Sequence, residues 1–175
     1  MSSRLPVYAF DIDGTIADSD HRAHFVNGAT KDWARYYDAC PADRLIGTVA
    51  TLARDLGRIS TIVYVTGRSE VVRSSTLDWL NRHGLPDGML FMRDLDFDGD
   101  DPTKATIIQR VLQSGIVPTM AFDDRAEVLA VWRMNGVHGV HVPKMGRPAG
   151  RVSLRAKAIR PSHLVVRAAG RAAGC

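Results

Sequence analysis

Residues 5–15 read Leu5-Pro6-Val7-Tyr8-Ala9-Phe10-Asp11-Ile12-Asp13-Gly14-Thr15, a short apolar run that stops on an acid. The run is of strand length and ends at polar turn residues, which predicts a buried strand over 5–10. Further strands are expected at Ile59–Val65, Met89–Met92, Val117–Phe122 and Val137–Val142. Between them lie stretches with helical spacing. Leu45, Ile46, Val49, Leu52 and Leu56 recur up to Gly57. Val72, Thr76, Trp79 and Leu80 mark a second helix ending near Gly84, and Ile107, Ile108, Val111 and Leu112 a third. Arg125–Asn135 is the fourth, closed by Gly136. Strands alternating with helices of about 10–15 residues predict an α/β fold: a parallel sheet of about five strands with helices on both faces. Chemistry in such sheets gathers at the carboxyl ends of the strands.

Three of those ends carry polar residues. Asp11, Asp13, Gly14 and Thr15 follow the first strand, Thr66-Gly67-Arg68 the second, and Asp123-Asp124-Arg125 the fourth. Lys104 opens the helix before the fourth strand. The topology brings these side chains to one cleft. Four carboxylates there repel one another and raise each other's pKa. A divalent cation relieves that repulsion, and Mg²⁺, held by carboxylates with water and phosphate oxygens, suits the set. The expected metal residues are Asp11, Asp13, Asp123 and Asp124, with Asp124 the direct ligand of the last pair. The cation and Lys104 make a place for a phosphate, to which the Thr66 hydroxyl and backbone N–H groups add hydrogen bonds. Asp11 can attack phosphorus and form an aspartyl phosphate. Asp13 can protonate the leaving oxygen and later deprotonate water, and Gly14 permits a tight turn.

The composition suits that reading. The chain has 175 residues, 45% of them apolar and 24% charged, as in a soluble domain. No apolar run reaches the roughly 18 residues of a membrane helix, and the first residues lack a signal-peptide core. Two cysteines, Cys40 and Cys175, argue against a disulfide framework and for a reducing cytoplasm. The net charge of +4 is unevenly placed. Residues 146–175 hold seven basic side chains and no acid, so this extension is +7 while residues 1–145 are −3. The basic extension is expected either to contact a phosphate backbone or to be a solvated tail. Residues 1–145 form the expected catalytic domain, with a small cap over about 16–40 that leaves the cleft open to a large substrate. Trp33, Tyr36 and Tyr37 within that cap are either local packing or a base-stacking surface.

The set Asp11-x-Asp13-Gly14-Thr15, Thr66, Lys104 and Asp123-Asp124 resembles the haloacid dehalogenase-like phosphohydrolases over about residues 5–143. The resemblance implies a Rossmann-like sheet with the first strand central, Mg²⁺ and an aspartyl-phosphate intermediate. A narrower likeness is to the 3′-phosphatase domain of bacteriophage polynucleotide kinase-phosphatases. It rests on Arg22, nine residues after Asp13, on Tyr37-Asp38-x-Cys40, and on Gly67-Arg68 after Thr66. Met92-Arg93, Asp100 before Lys104, Asp123-Asp124-Arg125, Val131-Trp132-Arg133 and Gly136-Val137 extend it. By that resemblance Arg22, Gly67, Arg68 and Asp100 join the site. Arg22 and Arg68 would contact phosphate or nucleic-acid backbone, and Asp100 would orient Lys104 or an arginine. The chain departs from the bifunctional enzymes in having no Gly-Lys dipeptide, hence no P-loop and no 5′-kinase. The expected activity is a Mg²⁺-dependent phosphomonoesterase on nucleic-acid 3′ ends. A nucleotidase acting on free nucleotides and a non-catalytic nucleic-acid-binding adaptor are the other readings.

Overall fold

A computed structural model describes residues 5–94 and 103–143. The central sheet contains β1 (Val7–Phe10), β4 (Thr61–Ser69), β5 (Gly88–Arg93), β6 (Met120–Asp123) and β7 (His138–His141). All neighbours run parallel, in the order β5-β4-β1-β6-β7, so β1 is central. The fold is the Rossmann-like α/β sheet expected from the sequence.

Both faces of the sheet are covered, as a parallel sheet requires. Alternation along the strands sorts the core. Phe10, Ile62, Tyr64 and Leu90 point to one face and pack with Val49, Ala50 and Ala53 of α2 (Gly47–Gly57) and Trp79 and Leu80 of α3 (Arg73–Arg82). Ala9, Val63, Val65 and Ala121 point to the other. They meet Ile107, Ile108 and Val111 of α4 (Thr103–Gln113), and Val128, Leu129 and Trp132 of α5 (Ala126–Met134). Trp79 and Trp132 are fully buried, one in each layer. Truncating a buried Trp to Ala costs about 3–5 kcal/mol, so each layer depends on its indole.

Some boundaries differ from the sequence expectation. The strand expected over 59–65 extends through Ser69, because Ser69 regains a partner in Arg93 after an irregular register beyond Val65. The strand expected from Val117 begins at Met120. Pro118 cannot donate to a ladder, and Val117 is exposed. The helix expected from about Asp43 begins at Gly47, because Arg44–Leu45 (β3) pairs antiparallel with Ala17–Asp18 (β2). Between β2 and β3 lie a 3₁₀ turn at Asp20–Phe25, the short α1 (Trp33–Asp38), and a second 3₁₀ turn at Cys40–Ala42. Among the described residues no helix is long and apolar enough to cross a membrane. Asp100 and the basic extension, residues 146–175, lie outside the described residues.

Candidate active site

Asp11 is the first residue past β1, and its N–H donates to Phe122 O at 2.9 Å, which ties it to the neighbouring strand end. The turn after it closes at Gly14, whose φ of 87° favours glycine and whose N–H reaches Ala17 O at 2.8 Å. Thr15 Oγ1 donates to Asp11 Oδ2 at 3.3 Å. Lys104 Nζ lies 2.7 Å from both Asp11 Oδ1 and Asp123 Oδ2. Asp123 Oδ1 accepts the N–H of Arg125 at 2.9 Å. Burial pushes the Asp11 carboxyl well above the ordinary carboxylate range, and the Asp123 and Asp13 charges add to this against the pull of Lys104. For Lys104 burial works against the charge, but Asp11 and Asp123 outweigh it and raise the ammonium pKa.

Asp11, Asp123 and Asp124 each offer an oxygen within 4.8 Å of the others. The set fits a hard divalent cation. All donors are carboxylate oxygens, two of the residues are buried, and Lys104 pairs with Asp11 and Asp123. The Asp13 carboxylate, expected in the same metal set, is not in this group. It faces two guanidinium groups instead. Arg22 Nη2 lies 2.6 Å and Arg68 Nη2 2.7 Å from Asp13 Oδ1. Thr66 Oγ1 donates to Asp13 Oδ2 at 3.4 Å and accepts the Arg68 N–H at 3.2 Å. Burial would raise the Asp13 carboxyl, but the Arg68 charge and hydrogen bonds, then Arg22 and Lys104, overcome it and hold it at about 2.

Arg22 and Arg68 are fully buried, and carboxylates occupy their guanidinium groups. Their second partner is Asp43, which the sequence reading missed. Asp43 Oδ2 accepts Nη2 of both arginines at 2.7 Å, and its Oδ1 accepts Arg22 Nε at 2.7 Å. The Arg22 Nη1 also reaches Tyr36 O at 3.2 Å, and Trp79 Nε1 donates to Asp43 O at 3.0 Å. Two buried guanidiniums with two carboxylates form a balanced, charge-assisted network. Its physical effect is to fix the Asp13 carboxylate beside Asp11. The one signal in the sequence was arithmetic: two arginines assigned to one cleft floor need a second carboxylate, but no spacing singled out Asp43. Gly67 is half-buried, and its carbonyl accepts the Tyr37 hydroxyl at 3.5 Å.

Asp43→Ala leaves two buried guanidiniums short of a partner. The expected cost is about 3–5 kcal/mol of stability, read as a lower urea midpoint at unchanged m-value. An unshifted midpoint would show that Asp43 does not carry the network.

The family described as "Polynucleotide kinase PNKP phosphatase domain" matches residues 6–145. Two structures described as the Pnkp1/Rnl/Hen1 RNA repair complex and the Pnkp1/Rnl/Hen1 complex superimpose with TM-scores of 0.60 and 0.62 at 20% and 22% identity. They cover 81% and 82% of this chain, which spans only 45% and 47% of theirs. A haloacid dehalogenase-like hydrolase from Streptococcus pneumoniae matches with a TM-score of 0.55 at 17% identity, over 81% of this chain and 85% of its own. These likenesses are of fold. Among curated proteins, membrane-associated phosphatidylinositol transfer protein 3 of Homo sapiens is 26% identical over 95 residues. That match takes in 54% of this chain and 10% of the human protein, so the chain spans about a tenth of that relative.

Proposed function

The chain belongs to the family of polynucleotide kinase phosphatase domains, and from that membership we propose that it removes 3′-phosphates from nucleic-acid ends through an aspartyl-phosphate intermediate, with Mg²⁺ as cofactor. Residues 1–145 are the phosphatase unit in this proposal, with about 16–40 as a small cap and 146–175 as a basic extension available to a phosphate backbone.

The observation that carries the reading is the buried Asp11 with Lys104 at 2.7 Å and Asp13 two residues on, at the carboxyl edge of the sheet. In the first half-reaction an Asp11 oxygen bonds to phosphorus as the ester P–O bond breaks. The departing 3′-oxygen takes its proton through Asp13, which the two guanidiniums keep ionised in the free protein and which receives that proton from the monoanionic phosphate ester as it binds. In the second, Asp13 takes a proton from water, whose oxygen bonds to phosphorus and releases phosphate, returning Asp11 as a carboxylate. Asp11, Asp123 and Asp124 would hold the Mg²⁺, which neutralises charge on the transferring phosphoryl oxygens when bound. Lys104 balances Asp11 and Asp123 and supplies a fixed positive charge beside the attacking oxygen. The Asp43–Arg22–Arg68 floor keeps Asp13 within reach of both protons. Thr66, hydrogen-bonded to Asp13, and Gly67 border the phosphate position.

The test compares kcat/KM for a 3′-phosphorylated oligonucleotide, its 5′-phosphorylated isomer, and 3′- and 5′-mononucleotides, all with Mg²⁺. The expected order places the 3′-phosphorylated oligonucleotide first by about tenfold or more, since binding of the remote chain adds transition-state stabilisation. Mononucleotides turned over as well as the oligonucleotide would replace this reading with that of a nucleotidase.

A further inference from the structure

Beside the acidic site stands a second constellation that the chemistry above leaves unused. Trp33 and Tyr37 of α1 stack, with ring centroids 5.9 Å apart and planes 23° apart. The Arg93 guanidinium, at the carboxyl end of β5, lies over both rings, 5.7 Å from the Trp33 centroid and 5.4 Å from that of Tyr37. One Arg93 Nη donates to the Tyr37 hydroxyl, which in turn reaches the Gly67 carbonyl. The platform is thus joined by direct contacts to the loop that borders the phosphate position.

Two features distinguish this platform from ordinary packing. Tyr37 is buried, but Trp33 remains 39% exposed, so an indole surface is still available. Among the described residues, Arg93 pairs with no carboxylate, and its Nε is buried without a hydrogen-bond partner. The adjacent Asp94 is engaged instead by Arg110. A half-buried cation facing aromatic rings and, among the described residues, lacking an anion, at the edge of a phosphate-handling site, is complementary to a flexible chain of alternating anions and flat bases.

Resting on the 3′-end reading above, we propose that Trp33, Tyr37 and Arg93 form a subsite for the end of a single-stranded polynucleotide. A base near the terminus stacks on Trp33, and Arg93 takes the phosphodiester that precedes the scissile phosphate. Stacking on an aromatic face tolerates any base, so the subsite selects polynucleotide over small phosphate esters without reading sequence.

Two measurements test this. The first uses Trp33→Ala and Arg93→Gln and reads the ratio of kcat/KM on a 3′-phosphorylated oligonucleotide to that on p-nitrophenyl phosphate. Each variant is expected to lower the ratio by about tenfold. The second uses the unaltered protein and an oligonucleotide ending in a 3′-hydroxyl, which cannot turn over. Trp79 and Trp132 are buried, so quenchable emission comes from Trp33. Saturable quenching is expected, and it should be lost in Trp33→Phe. Failure of the 3′-end reading shows as no phosphate release from the oligonucleotide, while quenching persists. Failure of the subsite shows as an unaltered ratio in both variants and no quenching, which overturns the proposal.

Discussion

Asp11→Asn is expected to reduce phosphate release to background, a loss of more than about 10⁴-fold. The amide is nearly isosteric, so the fold should persist, but its oxygen is a poor nucleophile and cannot leave as a carboxylate. The position tolerates little else. Asp11 is buried, donates its backbone N–H to the neighbouring strand end, and has Lys104 at 2.7 Å. Removing its charge also relieves the burial of that charge, and the lesser repulsion from Asp123 and Asp13, that raise the Asp11 carboxyl. The variant should therefore be no less stable than the parent in urea, which separates a chemical defect from a folding defect. Retention of more than a few per cent of activity would exclude Asp11 as the attacking group.

The second large effect is that of chelation. Three carboxylates place oxygens within 4.8 Å of one another, and a divalent cation would relieve their mutual repulsion. EDTA is expected to abolish turnover and added Mg²⁺ to restore it. Ca²⁺ should restore it poorly, because its larger and looser shell holds ligands at longer distances. A readout independent of activity follows from mass action. An ion that binds only the native state raises stability by about 2.7 kcal/mol at a hundred times its dissociation constant. Mg²⁺ should therefore raise the unfolding temperature of the parent and raise it less in Asp124→Asn. Full turnover in metal-free buffer, or an unfolding temperature indifferent to Mg²⁺, would contradict the assignment.

Much of the fold is legible in the sequence because the pattern is redundant. Strands β1, β4, β5 and β6 of the central sheet carry short stretches rich in apolar residues, the edge strand β7 is flanked by Val137 and Val142, and each helix facing the sheet repeats its apolar positions at helical spacing. Strand ends are less legible. The extension of β4 to Ser69 depends on a pairing with Arg93 that lies 24 residues away. The site residues divide in the same way. Asp11, Lys104, Asp123 and Asp124 are brought together at the carboxyl edge of the sheet, as their places after strands and before helices predict. The surroundings of Arg22 and Arg68 are not legible in the sequence, because burial is set by tertiary packing. Their long side chains turn inward to Asp13 and Asp43, where a sequence reading expects cations to meet substrate. Asp43 itself sits after a 3₁₀ turn with no motif around it, and it becomes visible only when the charges on the cleft floor are balanced in space.

The most direct test is a rapid acid quench of the protein mixed with Mg²⁺ and an oligonucleotide carrying a radiolabelled 3′-phosphate. The label is expected on the protein during turnover, on the peptide that contains Asp11, and to be absent from Asp11→Asn. Release of labelled phosphate at the full rate with no label ever found on Asp11 would contradict the covalent 3′-phosphatase account.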